Sequence, residues 1–76
     1  DPANVRILEA AVLEYNRSTG TTVILVTHDM FQAKRLANRV ALLYEGRIIE
    51  VGSVIEFFDD PGDPRTRAFV RGELAY

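Results

Sequence analysis

At 76 residues the chain is long enough for one small domain, which at this size buries only roughly 60% of the surface its unfolded form exposes. Apolar residues make up 47%, too many for a disordered tail, and a net charge of −2 with both signs mixed leaves no basic stripe for nucleic acid. The absence of cysteine excludes disulfide frameworks, thiolate metal sites and cysteine nucleophiles. In chain order, Asp1-Pro2 reads as a helix start, with Asp as N-cap and Pro at the first helical position. Val5, Leu8, Val12 and Tyr15 follow at helical spacing with Ala11 beside them, while Arg6, Glu9 and Glu14 fall between. Ser18-Thr19-Gly20 ends that helix.

Thr22 to Thr27 is β-branched and apolar on both faces, the pattern of a strand buried on both sides in a parallel sheet. Its aliphatic run, Val23 to Val26, is far too short to span a bilayer, and no signal peptide is visible. Asp29 caps a second helix in which Met30, Ala33, Leu36 and Ala37 share a face, with Gln32, Lys34 and Arg35 elsewhere and Asn38 as terminator. Two short strands, Val40 to Tyr44 and Arg47 to Val51, are joined at Glu45-Gly46, where Gly supplies positive φ for a tight turn. Ser53-Val54-Ile55-Glu56 has capping-box spacing and opens a short helix through Phe57 and Phe58. Asp59-Asp60-Pro61-Gly62 stops it. Asp63-Pro64 starts a last helix that runs to about Gly72. The expected order is α-β-α-β-β-α-α, an α/β architecture.

Candidate chemistry is sparse. His28 stands at the carboxyl end of the most buried predicted strand, where open α/β sheets bind ligands. Position alone supports two readings equally: a ligand contact, or a polar strand-end residue beside a simple cap. Asp29 begins a helix, whose first amides favour anions. Asp59, Asp60 and Asp63 form an acidic cluster, but their spacing fits no calcium loop, and Pro61 and Pro64 mark the stretch as helix punctuation. Arg65, Arg67 and Arg71 read as a solvated face rather than a phosphate site. Phe57, Phe58 and Phe69 read as core. The sequence has no Gly-x-x-x-x-Gly-Lys-Ser/Thr loop.

The residues carry a resemblance. Val23-Ile24-Leu25-Val26-Thr27-His28-Asp29 resembles the strand and switch-histidine loop of ABC ATPases. Leu36 to Leu43 and Gly46 to Gly52 resemble the stretch that follows that loop, and Asp1-Pro2 resembles the end of the D-loop. The likeness covers essentially the whole chain in order and spacing. It implies one partial domain over residues 1–76, the C-terminal portion of a P-loop NTPase fold with an incomplete sheet. It implies a piece of a subunit that hydrolyses ATP with Mg2+, pairs with a second ATPase subunit, and works with membrane permease subunits and a substrate-binding protein. Such a subunit is cytoplasmic and peripheral on the inner face of the cell membrane.

The same resemblance assigns roles. His28 is expected to contact the γ-phosphate and help align the attacking water, and Asp1 to lie at the dimer interface as the D-loop aspartate. Asp29 is given helix capping only. The Walker A loop, Q-loop, signature motif and Walker B acids would lie before Asp1, so the 76 residues alone are expected neither to bind nor to hydrolyse ATP. The opening at Asp1 rather than Met suits a fragment or a processed product. Phe58 to Arg67, with Phe69 and Gly72, is similar to the ends of phosphate and tungstate importer ATPases, which favours an oxyanion importer. Two alternatives remain at this stage: a non-catalytic α/β interaction module, and an ATPase head of another transporter or of a DNA-repair system. The doubly apolar stretch Thr22 to Thr27 further predicts that the chain self-associates when isolated.

Overall fold

A computed structural model describes residues 2–73. The first helix, α1, spans Pro2–Thr19, and α2 spans Met30–Leu36. An antiparallel hairpin follows, β1 Arg39–Tyr44 and β2 Arg47–Ser53, then α3 Val54–Asp59 and α4 Pro64–Val70. The molecule is a small α/β structure with a two-stranded sheet among the described residues. Asp1, read as the first N-cap and as a D-loop residue, lies outside the described residues.

The local signals explain the boundaries. Asp29 caps α2 by accepting from the Phe31 and Gln32 amides, at 2.9 and 3.2 Å. The Ser53 hydroxyl accepts from Glu56 N at 3.2 Å and starts α3, and the Asp63 carboxylate accepts from Arg65 N at 2.8 Å and starts α4. Glu45 and Gly46 both have positive φ, 50° and 78°, as a two-residue hairpin turn requires. Gly72, at φ 77°, closes α4: its amide donates to Phe69 O and that of Glu73 to Ala68 O, the pairing of a left-handed helix stop.

The core lies beneath the hairpin. Leu42, Phe57 and Phe58 are buried, with Met30, Ala33, Val40, Ile49, Val54, Phe69 and Val70 packed around them. The Phe57 and Phe58 rings meet edge to face at 5.0 Å, and Lys34 Nζ stands 4.9 Å from the Phe58 ring centre. An irregularity between Leu42 and Leu43 makes Leu43 pair with Ile48 and leaves Ile49 as the extra residue on β2. Glu50 on β2 ties down the turn before α4 by accepting from the Gly62 and Asp63 amides, both at 2.8 Å. Burial opposes ionisation of Glu50 most strongly, but the Gly62 amide, the Thr66 hydroxyl and the Asp63 amide together outweigh it and hold its carboxyl below the usual range.

One expectation fails. Thr22 to Thr27 forms no strand, so the observed order is α-α-β-β-α-α. A strand exists only by pairing, and β1 and β2 pair with each other alone among the described residues. The segment therefore stays in solvent, with Ile24 87% and Val26 89% exposed. Helix α1 forms where the spacing places it, but its apolar positions Val5, Leu8 and Tyr15 are exposed, together with Ile7 and Leu13, and its buried residue is Glu9.

Candidate functional site

Residues 20–29 join α1 to α2 without helix or strand, and His28 lies near the end of this exposed connection. What shapes its surroundings is a short series of hydrogen bonds. The Asp29 amide donates to the Thr27 hydroxyl at 3.0 Å, which closes a small turn around His28. The Asp29 carbonyl accepts from Ala33 N at 3.1 Å and so begins the α2 ladder. His28 is thus an exposed imidazole between a hydroxyl-closed turn and a capped helix. An imidazole so presented can donate a hydrogen bond to charge developing on a ligand atom.

The anion reading of the α2 amides does not survive. The helix has seven residues, and the Asp29 carboxylate occupies the Phe31 and Gln32 amides. Asp29 acts as a cap, the role expected of it.

A second polar cluster links α1 to α2. The Glu9 side chain reaches from α1 to α2, where Gln32 Nε2 donates to Oε2 at 3.0 Å. Arg35 donates through Nε to Oε1 at 3.2 Å and through Nη2 to Oε2 at 2.7 Å. Glu9 is 6% exposed. Its carboxyl is held below the ordinary glutamate range, first by the Arg35 hydrogen bonds and then by that of Gln32. The Arg35 guanidinium is correspondingly raised by the Glu9 contact. The sequence reading placed Glu9, Gln32 and Arg35 off the apolar faces and missed their meeting. The available signal was the three-residue spacing of Gln32 and Arg35, which puts both on one side of a helix.

The other candidates resolve as expected for structural groups. Arg65 pairs with Asp63 at 3.0 Å, and Arg67 donates to the Pro61 carbonyl at 3.0 Å. Among the described residues no group of three or more His, Asp or Glu side chains is placed to hold a metal ion.

Known proteins are similar to this chain over its whole length. A phosphate import ATP-binding protein of Natronomonas pharaonis is 46% identical over 76 residues, which is 100% of this chain and 26% of that protein. Its relatives are ATP-binding subunits of ABC importers. A probable anion import ATP-binding protein of Haloferax volcanii is 42% identical over all 76 residues, again 26% of the longer protein. A methionine import ATP-binding protein of Streptococcus pneumoniae is 41% identical over 70 residues, 92% of this chain and 20% of that protein. The chain thus spans about a quarter of the length of the ABC importer subunits it matches. No family model matches the chain. No solved structure matches it.

Proposed function

We propose that residues 1–76 are one partial domain that supplies the switch histidine, His28, to the ATP-hydrolysing subunit of an importer. The observation that carries this reading is the turn at Thr27-His28-Asp29, which leaves the imidazole exposed in front of a capped helix. Similarity of all 76 residues to a part of import ATP-binding proteins supports it. In the assembled subunit His28 donates a hydrogen bond to the γ-phosphate of ATP and helps to orient the attacking water. Asp1 serves the interface with a second ATPase subunit. Permease subunits and a substrate-binding protein complete the importer, and the subunit sits on the inner face of the cell membrane. No helix of the described residues is long and apolar enough to cross a membrane.

An oxyanion, phosphate or tungstate, is the substrate class we favour. The phosphate and anion import relatives support it, and the methionine import relatives carry the alternative. Neither substrate would touch this segment, so uptake measured with labelled phosphate, tungstate and methionine separates them.

Two results test the reading on the isolated chain. The 76 residues are expected to show no ATP turnover and no heat of ATP binding, and micromolar affinity by calorimetry would refute the partial-domain reading. The isolated chain is also expected to associate, because Val23 to Val26 and the α1 residues Ile7 and Leu8 are left in water. Light scattering should give a mass that rises with concentration, and the double substitution Ile24→Lys/Val26→Lys should lower it. A monomeric mass up to high concentration counts against the association.

A further inference from the structure

We propose that Glu9 is a positioning residue for His28, acting through the hydrogen bonds that run from its buried carboxylate across α2 to the Thr27-Asp29 turn. This rests on the reading of His28 given above. Three hydrogen bonds make up the path, joined through the covalent frames of Gln32 and Asp29. Glu9 Oε2 accepts from the Gln32 side chain at 3.0 Å. The backbone amide of the same Gln32 donates to Asp29 Oδ1 at 3.2 Å. The Asp29 amide donates in turn to the Thr27 hydroxyl at 3.0 Å, across His28.

The geometry suits a holding role better than a packing one. A buried carboxylate is costly unless it is paired and hydrogen-bonded. Glu9 is buried to 6% exposure while Ile7 and Leu8 beside it remain in solvent. The contact between α1 and α2 at this point is therefore a polar grip. The Arg35 fork engages both carboxylate oxygens, which fixes the relative orientation of the two side chains as well as their distance. On its other side α2 rests on the core through Met30 and Ala33, with Lys34 over the Phe58 ring. The helix that carries the His28 turn is thus held from two directions. Glu9 supplies the one that reaches the segment before the histidine.

The test uses the full ATP-binding subunit with three variants. Glu9→Gln keeps the shape and removes the charge, and Glu9→Asp keeps the charge and shortens the reach. The double variant Glu9→Arg/Arg35→Glu rebuilds the ion pair in reverse, with the Gln32 side chain meeting the guanidinium through its amide oxygen. Hydrogen exchange read by mass spectrometry should show amides 28–32 exchanging about tenfold faster in both single variants, with the hairpin 39–53 unchanged. ATP turnover should fall about tenfold at an unchanged KM, as expected for misplacement of one group rather than loss of binding. The reversed pair should recover both to within about threefold.

Unchanged exchange at 28–32 overturns the inference, and so does faster exchange with undiminished turnover. Faster exchange spread equally over the hairpin also overturns it, since that is what a merely structural role would give. A parallel His28→Ala subunit separates the two levels. If it keeps its turnover, the reading of His28 fails, and the exchange data still decide whether Glu9 holds the turn.

Discussion

Replacing His28 with alanine in the full ATP-binding subunit should lower ATP turnover about 10²- to 10³-fold while leaving ATP affinity within about threefold. The size is that of removing one preorganised hydrogen-bond donor from a site where charge develops. The side chain is exposed, and the α2 cap comes from Asp29 rather than from His28, so the fold should not pay for the loss. Asp29→Ala gives the contrasting result. It removes the acceptor for the Phe31 and Gln32 amides and should destabilise α2 by about 1 kcal/mol. Single-turnover kinetics with nucleotide binding measured separately distinguish the two variants. Turnover within threefold of the parent for His28→Ala, with folding intact, would remove the histidine from the chemistry.

What the sequence makes legible here is decided within a few residues. Asp29, Ser53 and Asp63 each carry a carboxylate or hydroxyl acceptor one step before a helix, and each caps as its type dictates. Glu45-Gly46 turns because its neighbours alternate as strands and Gly tolerates positive φ. Phe57 and Phe58 are buried because two adjacent rings after a cap have one apolar layer to enter. Thr22 to Thr27 is the counter-example. Its composition states what environment it needs, but pairing requires a neighbour, and the described residues contain none for it. Helix α1 forms as read, yet its apolar side stays exposed for the same reason. Periodicity marks Val5, Leu8 and Val12 as one side of a helix without saying what lies opposite them. Glu9 was illegible for a related reason, since its partners are 23 and 26 residues away and three-dimensional proximity alone joins them. The candidate site shows both cases: His28 and its cap were readable locally, and the grip behind them was not.

Phe57→Ala should unfold most of the described structure. Phe57 is 1% exposed, and with Leu42 and Phe58 it forms the buried apolar centre. Truncating a buried Phe costs about 3–5 kcal/mol, from lost transfer energy and from the cavity left behind. A domain of this length has roughly 4–11 kcal/mol of stability in total, so the substitution consumes a large share or all of it. The neighbours offer little relief. Phe58 loses its edge-to-face partner at 5.0 Å, and Ile55 on the same helix is 69% exposed, away from the gap. The consequence reaches the candidate site, because Met30 and Ala33 of α2 lean on this cluster and α2 carries the His28 turn. Ile55→Ala is the matched control, and its cost should stay within about 0.5 kcal/mol, as for an exposed position. Circular dichroism through a urea titration reads both. A Phe57→Ala midpoint equal to that of Ile55→Ala would mean that the centre of stability lies elsewhere, and that α2 is held from the Glu9 side alone.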